Sequence, residues 1–336
     1  AVRRVEMNRL SVVVLTANGQ LHVFVYKKAE GGVSGGGAMR AGLAAGDSTT
    51  SGDIEFVRTM SILHESESPR MMTAKPATTQ GAFFDLSSYL VGEGGDSWLV
   101  TKSAEGLGSV AAYKISGCSG GGYDGASMEL VYSLFAHHHG IGRIAIGGDG
   151  VMDGVDVEQK VFATASMQGT IIRVFSLLQG QKLYELQRGS SPCTIFSLAF
   201  NIDATVLSVS GSKGTTHLFQ LSEENRVDHQ PTNESETARI SIKEGLSKIM
   251  KRFTSKSKDD GEQMIRSFCR IRLKAEKPIA PNTIAMLKPT YTEEAEREEN
   301  VMICLGSGNI FQFAVLRSGK SRPIRADDLL FRKNCD

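Results

Sequence analysis

Two sets of small polar side chains, one with a guanidinium and one with an imidazole, flank a solitary arginine in this chain. Thr164, Ser166, Thr170 and Arg173 make up the first set, and Ser210, Ser212, Thr215 and His217 the second. Leu186-Gln187-Arg188-Gly189 lies between them. Hydroxyls and backbone amides can complete an oxygen shell around a phosphate, and arginine adds a planar fork of donors, so these residue types in a shallow pocket suit a phosphorylated polyol. Neighbouring side chains of a strand face opposite sides. Gln187 and Arg188 should therefore serve different pockets, one towards the set around Arg173 and the other towards the set around His217. Residues of these types also build hydrogen-bond networks inside sheets, and their pattern leaves both readings open.

The elements that must position them are strands. Apolar runs of period two recur along the chain, broken by Gly, Ser, Asn and Asp, while helical periodicity is nearly absent. A glycine turn followed by a strand ending in an aromatic occurs at Gly19 to Phe24, Gly169 to Phe175, Gly214 to Phe219 and Gly308 to Phe313. Gly169 and Gly214 are 45 positions apart, close to the roughly 40–45 residues of a WD-type propeller blade. The expected fold is all-β, a single partial WD-type β-propeller over 1–336 with five four-stranded blades at about 1–62, 78–135, 140–188, 193–274 and 281–331. Gly189 is expected to let the chain turn sharply from one blade to the next.

Two insertions interrupt the pattern. Residues 27–53 are rich in Gly, Ser and Ala and read as a flexible loop, with no helix pattern after the glycines to make a phosphate cradle. Residues 222–266 form a second long loop with a basic amphipathic segment at 242–258. Ile242, Leu246, Ile249, Met250 and Phe253 fall on one helical face. Between Lys243 and Lys258 the six bases Lys243, Lys248, Lys251, Arg252, Lys256 and Lys258 face one acid, Glu244. Such a segment fits the interface of an anionic membrane, a helix packed on the propeller's edge, or a disordered basic loop. Gly245 weakens the helix, so helicity is expected on binding.

Composition narrows the remaining classes. The net charge of +1 provides no global attraction to nucleic acid, and Phe253 alone interleaves with the basic cluster, so no nucleic-acid partner is expected. The longest apolar runs fall short of the roughly 18 residues of a membrane-spanning helix. Five cysteines, scattered and never spaced CxxC, fit a reducing, cytoplasmic setting better than a disulfide framework or structural zinc. His137-His138-His139 cannot all face one ion from a strand, and no GxSxG nucleophile elbow occurs. Neither an enzyme nor a bound cofactor is expected.

At the two polar sets the sequence resembles the PROPPIN family, the seven-bladed WD-type propellers that bind polyphosphoinositides and include the WIPI proteins of autophagy. ATASMQGTIIRVF, GQKLYELQRG, TIFSLAFN and GSKGTTHLF carry the match in order and spacing. Weaker similarity runs from VEMNRLSVVVL to PNTIAML, GNIFQF and DDLLF. The family's signature is Phe/Leu-Arg-Arg-Gly, whose two arginines each anchor one headgroup in a pocket on the rim. The resemblance implies a second pocket of Arg188, Gly189, Thr215 and His217, with Ser210 and Ser212 beside it. It implies a first pocket of Thr164, Ser166, Gly169, Thr170, Arg173, Gln187 and His137. Here Gln187 stands where the family has its first arginine, and a neutral amide in place of a charged donor, worth about 1.5–3 kcal/mol, weakens that pocket roughly ten- to hundredfold.

The same resemblance matches the 222–266 insertion to the family's membrane-inserting loop, with Ile242, Leu246, Lys248, Ile249, Met250, Lys251, Arg252 and Phe253 at the membrane. It makes the five units the third to seventh blades, the first two being absent from this chain. The implied ligands are phosphatidylinositol 3-phosphate and 3,5-bisphosphate, and the implied partners are autophagy or endosomal proteins. The implied place is the cytoplasm, peripheral on autophagosomal precursor, endosomal or vacuolar membranes. The alternative is a WD-repeat scaffold that binds only proteins, its lipid affinity weakened or lost through Gln187.

Overall fold

The computed structural model describes residues 1–8, 10–26, 54–63, 83–87, 96–116, 126–148, 151–152, 155–156, 160–227, 264–273, 282–292 and 294–324. The loop 27–53 and the basic segment 242–258 lie outside the described residues. Among the described residues no helix is long and apolar enough to cross a membrane.

Five antiparallel sheets follow one another along the chain, each built in sequence order. The first holds Val2–Met7, Ser11–Thr16, Gln20–Tyr26 and Ile54–Ser61; the second Phe84–Leu86, Ser97–Lys102, Ser109–Ser116 and Ser127–Phe135. The third holds Ile141–Gly147, Val161–Ser166, Ile171–Ser176 and Lys182–Gln187. The fourth holds Ile195–Phe200, Val206–Gly211, Thr215–Gln220 and Cys269–Arg272, and the fifth Asn282–Tyr291, Arg297–Leu305, Ile310–Leu316 and Ser321–Ile324. Two features were not legible in the sequence. A two-strand ribbon pairs Val151–Met152 with Val155–Asp156, and the short strand Ile265–Arg266 adds in parallel to Lys182–Gln187 at the outer edge of the third sheet.

Consecutive sheets pack face to face, so the second, third and fourth are covered on both sides by their neighbours in the chain. Leu21, Val23 and Val25 of the first sheet pack on Phe84, Leu99 and Ile115 of the second. Val100 and Ala112 of the second meet Ile144, Phe162 and Phe175 of the third. Ala163, Ile172 and Leu186 of the third meet Ile195, Leu207 and Val209 of the fourth, and Val206, Leu218 and Ile271 of the fourth meet Ile284, Val301 and Val315 of the fifth. Sheets covered on both faces lose the apolar–polar alternation. Val161–Ser166 and Val206–Gly211 are accordingly buried at every position, while Ser11–Thr16 still alternates. The glycine turns are where the sequence placed them, with Gly169 at φ +61° and Gly214 at φ +68°.

A cluster of charged and amide side chains ties the last two sheets across their interface. Arg297 Nη1 donates to Asp203 Oδ2 at 2.6 Å and Arg297 Nε lies 2.8 Å from Glu299 Oε1, while Asn201 Nδ2 donates to Glu299 Oε2 at 3.1 Å. Glu299 is wholly buried. Burial pushes the Asp203 carboxyl up, but its hydrogen bonds from Arg297 and Thr205 outweigh this and hold it below its ordinary value.

Candidate functional site

Strand parity divides the polar residues between two interfaces. Thr164 pairs with Arg173 and Arg173 with Glu185, so these three share the face of the third sheet that carries Phe162 and Phe175 towards the second. Arg188, one residue past Gln187, turns the other way, towards the fourth sheet. His217 pairs with Val209, whose side chain lies in the core between the third and fourth sheets, so His217 looks back at Arg188.

The interface between the second and third sheets is a closed network. Arg173 Nε and Nη2 meet Glu185 Oε2 and Oε1 at 3.1 and 3.3 Å, and Arg173 Nη1 donates to the Ala136 carbonyl at 2.7 Å. Lys182 Nζ reaches the same carboxylate at 3.1 Å. Burial raises the Glu185 pKa, but the hydrogen bonds and charges of Arg173 and Lys182 prevail and keep it below its usual range. His137 Nε2 lies 2.9 Å from Thr164 Oγ1, and its Nδ1 lies 3.3 Å from Arg173 Nη1. Burial, and then the Arg173 charge, push its pKa down to about 3. Every nitrogen of Arg173 is already engaged, two of them by a carboxylate, which leaves it little capacity for the anion expected at the first polar set. Ser166 and Gly169 belong to the turn beyond, where Ser166 Oγ accepts from the Gly169 amide at 3.3 Å.

The interface between the third and fourth sheets is built differently. Arg188 is buried at 7% exposure; its Nε donates to the Gly169 carbonyl at 2.8 Å and its Nη2 to the Ser191 carbonyl at 2.5 Å. The Thr170 carbonyl accepts from the backbone amides of Arg188 and Gly189 at 2.9 and 3.3 Å. These bonds fix the guanidinium without neutralising it. His217 Nδ1 lies 3.2 Å from Ser267 Oγ, which also accepts from Arg270 Nε at 3.1 Å. Burial pushes the His217 pKa down to about 4, and the charges of Arg188, Arg270 and Arg272 push in the same direction. The imidazole thus registers three guanidiniums at once, with no carboxylate among the groups that shift it.

Arg270 and Arg272 were missed by the sequence reading. They pair in register with His217 and Thr215, both are exposed, and their only sequence signal is the alternation in Cys-Arg-Ile-Arg. Other assignments change. Ser210 pairs with Thr216 and so faces away from His217; its hydroxyl bonds to Asn282 Oδ1 of the fifth sheet. It is not placed in the second pocket. Ser212 is exposed at the turn, its Oγ accepting from the Thr194 amide at 3.3 Å. Gly189 has no positive φ, and a Cβ there would meet nothing within 4 Å, so glycine is not required for the turn. Gly169 is the constrained position: a Cβ would lie 2.0 Å from the Cys193 carbonyl oxygen. Gly169→Ala is expected to destabilise the fold by several kcal/mol and Gly189→Ala by less than about 0.5 kcal/mol, read from urea midpoints.

Both lowered histidines link stability to pH. Each binds a proton in the unfolded chain near pH 6.5 and resists it when folded, so the unfolded state gains protons as pH falls. Stability is expected to drop from about pH 6.5 down to about 4 for His217 and about 3 for His137, by up to about 1.4 kcal/mol per histidine for each pH unit crossed. Glu185 and Asp203, whose ordinary values are 4.5 and 3.8, add their losses only towards the acid end. Chemical denaturation at stepped pH, with His137→Gln flattening part of the slope, checks this.

The PROPPIN family model matches residues 95–255, which hold the first polar set, the tetrapeptide and the second set. Autophagy-related protein 18 of Phaeosphaeria nodorum is 35% identical over 168 residues, covering 50% of this chain and 37% of that protein. Its counterpart in Emericella nidulans is 38% identical over 127 residues, covering 38% of this chain and 27% of that one. The matches thus span little more than a third of those relatives' length at most. Among solved structures, KlAtg21 in complex with the coiled coil of AgAtg16 aligns with a TM-score of 0.51 and 18% identity over 96% of this chain and 69% of that one. Kluyveromyces lactis Hsv2 with its complete loop 6CD aligns with a TM-score of 0.50 and 16% identity over 94% and 68%. At that identity the likeness shows the fold, a β-propeller with four-stranded blades.

Proposed function

We propose, from the match of residues 95–255 to the PROPPIN family model, that the chain is a phosphoinositide-binding propeller of that family that scaffolds autophagy or endosomal traffic at membranes. The observation that carries the reading is the field at His217. Arg188 is held by two backbone carbonyls, and Arg270 and Arg272 line the opposite strand, so cationic donors from two sheets converge where no carboxylate among the described residues shifts the imidazole. A phosphate monoester fits that need: its charge opposes three guanidiniums, and its oxygens accept from arginine forks, the Thr215 hydroxyl and the His217 ring. Phosphatidylinositol 3-phosphate and 3,5-bisphosphate are the proposed ligands. The relatives' name, autophagy-related protein 18, supports autophagy proteins as the partner class.

The described ends of the long loop support the membrane reading. The Val227 amide donates to the Leu183 carbonyl at 2.9 Å, and Ile265 pairs with Leu186, so the loop leaves and returns at the edge strand that leads into Arg188. Leu246, Ile249 and Phe253 lie between those ends and are proposed to enter the bilayer.

Flotation on phosphatidylcholine vesicles with and without phosphatidylinositol 3-phosphate tests the reading. The wild-type chain is expected to float only with the phosphoinositide, and Arg188→Ala and His217→Ala to lose most of that. Equal flotation of wild type and Arg188→Ala would reject it. A protein-only scaffold is the second reading, favoured by the Glu185 carboxylate that fills Arg173. It requires the wild type itself to ignore the lipid.

A further inference from the structure

The neutral Gln187 has a charged neighbour that its own strand does not supply. Ile265–Arg266 adds in parallel to Lys182–Gln187, with Gln187 and Arg266 in register. Register partners on adjacent strands project from the same face, and the strands run roughly 4.8 Å apart. The exposed Arg266 side chain therefore emerges beside that of Gln187, on the face of the third sheet that also carries Glu185 and Arg173.

An open groove of about 590 Å³ lies at this edge, lined by Gln187, Asn225, Met264, Ile265 and Arg266. That volume is within the roughly 300–1,000 Å³ of small-molecule sites. Two carboxamides and a guanidinium are its polar groups among the described residues, and they come from three separate segments of the chain. Asn225 is steadied by a 2.9 Å bond from its Nδ2 to Ser222 Oγ, which leaves its carboxamide further donor capacity.

We propose that this groove is an anion site in which Arg266 stands in for the arginine absent at position 187, taking a phosphate monoester with Gln187 and Asn225 as auxiliary donors. The site rests on the phosphoinositide reading, yet is separate from the pocket at Arg188 and from the closed network at Arg173. It makes the chain a two-site binder whose second cation arrives from the end of the long loop.

Calorimetric titration of the full chain with soluble inositol 1,3-bisphosphate, joined to flotation on phosphatidylinositol 3-phosphate vesicles, tests this. Wild type is expected to bind two headgroups and Arg266→Ala one, with flotation weakened roughly tenfold or more. Lys288→Ala, an exposed charge removed from the fifth sheet, should change neither. Adding Gln187→Arg to Arg266→Ala should restore the second headgroup. A fall in stoichiometry without loss of flotation would assign the groove to free inositol phosphate rather than to the membrane, with the same site chemistry. Two headgroups bound by Arg266→Ala would overturn the site. So would a single headgroup on wild type that Arg270→Ala with Arg272→Ala removes, and that result leaves the phosphoinositide reading standing. No headgroup on wild type would reject the phosphoinositide reading itself.

Discussion

An Arg270→Ala, Arg272→Ala double variant is expected to bind phosphatidylinositol 3-phosphate vesicles at least about 100-fold more weakly than wild type, with its melting temperature within a degree or two. Each guanidinium that reaches a phosphate contributes about 1.5–3 kcal/mol, so removing a single one weakens binding roughly ten- to hundredfold. Both side chains are exposed, so truncating them leaves the core intact. Arg188 offers no equally clean test: alanine there also abandons the Gly169 and Ser191 carbonyls. Surface plasmon resonance on supported bilayers, with the midpoint of thermal unfolding as the companion measurement, separates binding from folding. A double variant that binds like wild type would remove the strand Cys269–Arg272 from the site.

Arg297→Ala is expected to cost about 3–5 kcal/mol of stability, the range for breaking a buried pair by removing one partner. The loss arises at the seam of the fourth and fifth sheets, where Glu299 would keep only the Asn201 amide and Asp203 its Thr205 hydroxyl. Replacing Arg297 by Met and Glu299 by Leu together should recover much of the loss, because no buried charge is then left unanswered. Urea unfolding reads both variants. If Arg297→Ala costs under about 1 kcal/mol, the seam is held mainly by the apolar contacts of Val206, Leu218 and Ile271 with Ile284, Val301 and Val315.

Sequence and structure meet most closely at the turns and strands. Glycine turns ahead of alternating strands gave five four-stranded sheets, because a left-handed turn residue and a period of two are local properties that neighbouring sheets reinforce. The approach of Arg188 to His217 follows from the same local alternation, each standing out against an apolar strand. What stayed hidden depends on register. Ser210 and His217 sit on one hairpin, yet the pairing of Val209 with His217 sends Ser210 to the other face, and a shift of one residue would have reversed that. Glu185 reads as an ordinary polar residue in Leu-Tyr-Glu-Leu-Gln until cross-strand pairing sets it against Arg173. Arg266, Arg270 and Arg272 lie beyond the long loop, and only the return of the chain to the edges of the third and fourth sheets brings them to the tetrapeptide and to His217.

The two interfaces differ in how their cations are answered. Between the second and third sheets, Glu185 satisfies Arg173 and the polar set serves the fold. Between the third and fourth, the cations are left facing one another, an arrangement that an anion relieves. Phosphate bound there should favour the protonated imidazole, so affinity is expected to strengthen as the pH falls through the His217 pKa of the complex.

Titration of the His217 imidazole by NMR, with and without inositol 1,3-bisphosphate, probes this pocket most directly. Its pKa is expected to rise from about 4 when the headgroup is bound, because the phosphate offsets Arg188, Arg270 and Arg272, while that of His137 stays at about 3. A His217 value unmoved at saturating headgroup, or a rise confined to His137, would contradict the placement of the site between the third and fourth sheets.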